Sequence, residues 1–153
     1  MQGNIPCIFK EVLMIYTSYF ARLRSMPETV IPVSICKKEP NWYSGAQYKK
    51  LAPTFECLNN YKQSNNKEEF VERYKREILD RQNVNQVILE LYASALGEDA
   101  VYGKSIEELM NVYDIALLCY EKPADFCHRK LVSAWLGLNG IGCAEWSAAY
   151  AER

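Results

Sequence analysis

Two thiols, a carboxylate, an imidazole and a guanidinium fall within one short stretch of this chain. They are Cys119, Glu121, Cys127, His128 and Arg129, and His128 is the only histidine in 153 residues. The chemistry these types can do together is specific. A cysteine beside an imidazole and an arginine at a helix start tends towards thiolate, the nucleophilic form. An imidazole titrates near neutrality and can move protons, and a nearby carboxyl group can share that task. An arginine offers a planar fork of donors that matches phosphate or carboxylate. Each has a plainer role as well. Cys127 can pack inward as an inert thiol, His128 can bond a backbone carbonyl, and Glu121 can pair with Arg129 or Lys122.

These residues need elements to hold them. Ile115–Tyr120 is a continuous apolar run and reads as a strand covered on both faces. A polar loop with Pro123 follows, and then a helix over about 125–138, with Leu131, Val132, Trp135 and Leu136 facing inward and Asn139-Gly140 as its stop. With Asp125 as cap, Phe126, Cys127 and His128 fall in the first helical turn, where free N–H groups and the dipole favour an anion. Ile141–Trp146 reads as the next strand. Strand, crossover helix and strand then form a right-handed unit with parallel strands. The functional zone of such sheets lies beyond the carboxyl ends of the strands.

Upstream, residues 11–17 and Thr29–Cys36 are rich in bulky and β-branched types and read as two further strands. Pro32 lacks a backbone donor, which places it at a strand start or on an edge. Residues 37–66 read as a long loop, aromatic and basic, with Trp42, Tyr43 and Tyr48 near Lys37, Lys38, Lys49 and Lys50. Such a loop can stack on a nucleotide or a single strand, or simply cover the sheet edge. Residues 67–112 read as a helical section. Asn66 with Glu69 and Ser105 with Glu108 mark helix starts, and Gly97 marks a stop.

A formal net charge of −1 argues against a broad nucleic-acid or membrane footprint. No run is long and apolar enough for a membrane span, and the start shows no secretory pattern, so a cytoplasmic location is expected. The six cysteines read as free thiols, since a single domain of this size has core enough without disulfides. No glycine-rich dinucleotide fingerprint, P-loop, phosphatase-type cysteine–arginine loop or serine elbow occurs. Zinc is weighed and set aside. Cys119, Cys127 and His128 are suitable ligand types, with Cys36 or Glu145 to complete a set, but adjacent Cys127 and His128 project in different directions from a helix. No metal and no cofactor are expected.

The apolar strand entering Cys119-Tyr120-Glu121-Lys122-Pro123, followed by Cys127-His128-Arg129, resembles the family known as domain of unknown function 488. Thr17-Ser18-Tyr19-Phe20, Cys36-Lys37-Lys38-Glu39-Pro40, Leu51-Ala52-Pro53 and Glu145 extend the similarity over most of the chain. The resemblance implies a compact α/β domain with the hallmark residues gathered at one site. It implies no particular reaction.

The expectation is a single three-layer α/β domain spanning 1–153, with a small, mostly parallel sheet. Glu121, Cys127 and His128 are the candidate catalytic residues. Arg129, Cys119, Ser18, Lys37 and Trp42 are the candidate ligand-binding residues. The expected partner is an anionic small molecule or nucleotide-like ligand, handled by an enzyme or held by a noncatalytic binding module. Nucleic acid is a weaker partner candidate, no membrane is expected, and the sequence leaves the oligomeric state open.

Overall fold

The computed structural model describes residues 13–123 and 125–152. Five strands form one all-parallel sheet: β1 (Ile15–Tyr19), β2 (Val30–Ser34), β3 (Ala46–Gln47), β4 (Asp114–Cys119) and β5 (Cys143–Glu145). Their spatial order is β3-β2-β4-β1-β5. Among the described residues six α-helices accompany them: α1 (Phe55–Ser64), α2 (Lys67–Glu77), α3 (Val84–Leu96), α4 (Glu98–Val101), α5 (Ile106–Val112) and α6 (His128–Leu138).

The strand alternation sorts the core into two layers. Ile15, Val33, Ile35, Ile115, Leu117 and Cys119 face one side and pack with Tyr74, Ile88, Leu91, Leu109, Val132 and Leu136 from the helices. Tyr16, Val30, Cys36, Ala116 and Leu118 face the other side, against Phe20, Met26, Tyr43 and Trp146. The second layer is covered by a 3-10 helix at Phe20–Ser25, by loops and by the terminal 3-10 segment Ala148–Glu152, not by α-helices. Each fully buried aliphatic side chain in these layers contributes about 1.5–3 kcal/mol through loss of water contact.

β1 and β4 are neighbours, in register from Tyr16↔Ala116 to Tyr19↔Cys119. The segment leaving β1 packs in the second layer through Phe20 and Met26, while α6, which leaves β4, packs in the first through Val132 and Leu136. The two chains therefore diverge to opposite faces beyond Tyr19 and Cys119. That divergence opens the ends of these strands in the way ligand sites of parallel sheets require.

Several boundaries differ from the sequence reading. The first strand lies at Ile15–Tyr19 and not at 11–17, because Thr17 and Ser18, although polar, are buried and paired with β4. Residues 11 and 12 lie outside the described residues. Pro32 sits within an interior strand. It is tolerated because β3 pairs only with Val33 and Ser34, which leaves the β2 edge beside Pro32 bare, and its carbonyl accepts from Tyr43 Oη at 3.4 Å. The expected long loop over 37–66 contains β3, a 3-10 turn at Lys49–Leu51 and all of α1. Thr54 caps α1 by accepting from the Cys57 N–H, and Cys57, Leu58 and Tyr61 pack inward.

The signals at Asn66, Gly97 and Ser105 hold. Asn66 accepts from the Glu69 N–H, Gly97 ends α3 at φ +96°, and Ser105 and Glu108 form a reciprocal capping box. The last strand is shorter than 141–146 and pairs with β1, so the crossover from β4 steps over one strand. Gly142 permits that pairing, since a Cβ there would meet the Leu13 carbonyl oxygen at 2.8 Å while its own carbonyl accepts from Ile15 N–H. Trp135 is half-buried against the helical layer.

Candidate functional site

The loop after β4 and the start of α6 differ from the expected pattern at one residue that matters. The helix begins at His128, and Cys127 is its N-cap with extended backbone, φ −154° and ψ 146°. Phe126 and Cys127 are thus outside the first helical turn. An extended residue followed by a helical one turns successive side chains towards a common point, whereas two helical residues would diverge. Cys119, Cys127 and His128 consequently place their Sγ, Sγ and ring nitrogen within 4.8 Å of one another, all buried.

The contacts inside this cluster fix its states. His128 Nε2 lies 2.7 Å from the Ile35 carbonyl oxygen, so this nitrogen carries the proton and donates it there. Cys119 Sγ lies 3.6 Å from both Nδ1 and Nε2. The ring also packs on Tyr74, with centroids 5.5 Å apart, and Tyr74 Oη donates to the Leu51 carbonyl at 2.6 Å.

The two thiols are driven apart. A hydrogen bond from the Cys119 thiol, aided by His128 and the Arg129 backbone N–H, holds Cys127 far below the usual thiol range despite its burial. Burial pushes Cys119 well above that range, and the charge of Cys127 adds to the push. Burial likewise raises the Glu121 carboxyl, helped by the Cys127 charge and a hydrogen bond to the Cys127 sulfur. The arrangement thus favours the thiolate form of Cys127 and the protonated form of the neighbouring Glu121 carboxyl.

Arg129 is completely buried. Its Nε and Nη2 donate to the Glu145 carboxylate at 3.1 and 3.2 Å, and Nη1 donates to the Glu121 carbonyl at 2.6 Å. Thr17 Oγ1 donates to Glu145 at 2.7 Å, and the guanidinium sits 5.7 Å from the Tyr19 ring centroid. Burial alone would lower the Arg129 pKa, but Glu145 overrides it and raises it. The fork is therefore closed on an internal carboxylate, and an external anion at Arg129 has to compete with Glu145. What Arg129 does here is fix the backbone of Glu121 to β5.

The remaining candidates lie elsewhere. Ser18 points to the second layer between Tyr16 and Phe20, fully buried, with no hydrogen-bond partner for its Oγ among the described residues. Trp42 is 60 % exposed and, with Phe20, Ala21, Arg24, Pro40 and Tyr120, lines an open cavity of about 400 Å³. Lys37 is exposed after β2, and its carbonyl accepts from Lys49 Nζ. Next to it Ser34, Cys36, Glu39 and Lys49 form a polar cluster, with Ser34 Oγ donating to Glu39 at 2.6 Å. The structure thus joins Cys119, Glu121, Cys127, His128 and Arg129, and places Ser18 and Trp42 on the opposite face of the sheet.

Three members of the site carry no signal of their own in the sequence: the Ile35 carbonyl, the Tyr74 ring and the Tyr19 face. A backbone acceptor has no residue type to betray it, and Tyr74 reads only as helical core. The five described cysteines, 36, 57, 119, 127 and 143, are free.

The family model described as the active DUF488-N3 subclade matches residues 21–140. The chain belongs to this family. The match includes the Cys119–Arg129 segment and leaves Thr17, Ser18 and Glu145 outside it. Neither a curated protein nor a solved structure matches the chain. No helix of the described residues is long and apolar enough to cross a membrane.

Proposed function

We propose that this protein is an enzyme acting on a phosphate-bearing, nucleotide-like substrate, with Cys127 as its nucleophile. One observation carries the reading: Cys119, Cys127 and His128 converge within 4.8 Å beside Glu121, where the chains leaving β1 and β4 diverge. The family description, which includes the word active, supports an enzymatic role.

In this reading the Cys127 thiolate, held beside His128, attacks an electrophilic carbon of the substrate. A sulfur–carbon bond forms as the bond to the leaving group breaks, and the leaving group departs with the proton of Glu121. Water then displaces the sulfur and gives its proton to the Glu121 carboxylate, which restores the resting site. Arg129 is a positioning residue, because it holds the Glu121 backbone through Nη1. The cavity around Trp42 and Tyr120 fits an aromatic ring, with Arg24 at its rim for a phosphate. Tyr120 lines that cavity and Glu121 touches Cys127, so adjacent residues connect the two places.

The test is a panel of nucleotides and related phosphate esters, scored by thermal shift and by product formation. The reading expects turnover by the wild type, loss of it in Cys127→Ser and Glu121→Gln, and binding retained in both. A second reading, a noncatalytic binding module, draws on the 2 % exposure of Cys127, which limits direct attack. Binding with no turnover of any compound favours the module. The absence of any shift with phosphate-bearing compounds contradicts both.

A further inference from the structure

We infer that Cys119, Cys127 and His128 form a three-ligand site for a borderline soft divalent cation, with Zn²⁺ as the matching ion. The objection drawn from the sequence was that neighbouring Cys127 and His128 diverge, and it falls because Cys127 is not helical. The donor types are those that zinc prefers, two sulfurs and an imidazole nitrogen. Their spacing fits as well. With metal–sulfur and metal–nitrogen bonds of about 2.3 and 2.05 Å, the sulfur–nitrogen edge of a tetrahedron is about 3.6 Å. Cys119 Sγ lies 3.6 Å from His128 Nδ1 and equally 3.6 Å from Nε2, so the sulfur stands over the ring face and the ring has to turn for the Nδ1 lone pair to meet a shared ion.

The surroundings match what a metal-bound histidine needs. Its other nitrogen donates to a fixed acceptor, the Ile35 carbonyl at 2.7 Å, which sets the tautomer and leaves Nδ1 as the ligand atom. All three ligand residues are buried, so a bound cation would exchange few waters for a dry site already supplied with sulfur. The fourth tetrahedral position falls to water, with Glu121 alongside through its contact with Cys127. Among the described residues no other group of three His, Cys, Asp or Glu side chains converges in this way.

The site stands on its three donor atoms and does not depend on the enzymatic reading. If that reading holds, Zn²⁺ is a reversible stop: a sulfur bonded to the ion has given up the electron pair with which it would attack. Binding releases the remaining thiol protons, so occupancy rises with pH.

The experiment uses the full chain, freed of metal by chelator and kept in a phosphine reductant. Zn²⁺ binding is measured by competition with a chromophoric chelator, and Co²⁺ is added separately as a spectroscopic stand-in. The expected result is one Zn²⁺ per chain and an intense thiolate-to-cobalt charge-transfer band. Cys119→Ser and Cys127→Ser should each weaken Zn²⁺ binding more than about 100-fold, since even outer-shell changes cost 10–100-fold. Cys143→Ser, outside the cluster, should leave it unchanged. Circular dichroism checks the fold of each variant. Should a serine variant fail to fold, the cobalt spectrum of the wild type decides: a tetrahedral thiolate-ligated Co²⁺ spectrum is expected, and an octahedral one with no charge-transfer band is not. No stoichiometric binding, site variants that bind as tightly as the wild type, or a wild-type Co²⁺ spectrum without the charge-transfer band overturns the inference. Zinc binding without turnover of any nucleotide leaves the metal site standing and removes the enzymatic reading. Turnover without zinc binding does the reverse.

Discussion

Arg129 and Glu145 meet as a two-pronged ion pair, Nε to Oε1 at 3.1 Å and Nη2 to Oε2 at 3.2 Å, with the guanidinium entirely shielded from water. The pair ties the first turn of α6 to β5, and the third guanidinium bond, to the Glu121 carbonyl, ties in the loop. The geometry of the reactive cluster thus rests on a charge pair that the substrate need not touch.

Removing one partner of such a pair leaves a buried charge without compensation. Glu145→Ala should destabilise the protein by about 3 kcal/mol, the lower end for buried pairs because Glu145 is 31 % exposed. Glu145→Gln keeps an acceptor and should cost less. Urea unfolding followed by circular dichroism measures both, and an alanine variant as stable as wild type would remove the brace from the account.

Tyr74 supports the site from beneath. Its hydroxyl donates to the Leu51 carbonyl at 2.6 Å inside the helical layer, and its ring lies against His128. Tyr74→Phe keeps the ring and strands the buried carbonyl, at a cost of about 1–3 kcal/mol. The same unfolding assay checks this, and Tyr74→Ala should cost more through the cavity it leaves.

Acid should loosen the surface contacts just after β3 and along α2 before it reaches the core. Glu90 is held below its usual range by Gln86 and then Tyr48, Glu77 by Arg73, and Glu39 by Lys49 and Ser34 against the opposing effect of burial. A carboxyl whose folded pKa is depressed contributes stability above its unfolded pKa, and that stability is lost as pH falls through the folded value. The share of stability due to these carboxylates, read as the difference in urea midpoint between wild type and Glu90→Gln, should therefore be level near neutrality and shrink from about pH 4.5 downward. A difference that does not change with pH would exclude Glu90 from that share.

The short α5 depends on its capping box, in which Ser105 accepts from Glu108 N–H and Glu108 accepts from Ser105 N–H. Ser105→Ala should cost about 1 kcal/mol without disturbing the site at the carboxyl end of β4, since α5 enters that strand at its other end. A thermal melt alongside the Zn²⁺ titration checks both halves of that statement.

The parts of the fold that the sequence made legible are those written in periodicity and caps. β4 is a continuous apolar run, and Asn66, Gly97 and Ser105 mark helix ends by their own side chains or backbone freedom. α1 escaped because Asn59 and Asn60 dilute its apolar stripe, although Thr54 was a readable cap. The placement of β5 beside β1 is a tertiary choice, made possible by the close approach at Gly142. At the site, residue types and the strand–loop–helix order were legible. The convergence of Cys127 with His128 was not, because it turns on a single residue lying just before the helix and not in it.

The central claim is that the metal-free protein holds Cys127 as a thiolate beside Cys119 and His128. The ultraviolet absorbance of thiolate, recorded against pH for wild type and Cys127→Ser in the presence of chelator, tests it without requiring a reagent to reach the buried sulfur. An ordinary cysteine ionises near pH 8.5. The account predicts that the wild type carries one thiolate at about pH 6 that the variant lacks, and that this absorbance fades only on further acidification. Identical curves for the two proteins, with no thiolate in either until about pH 8, would contradict it.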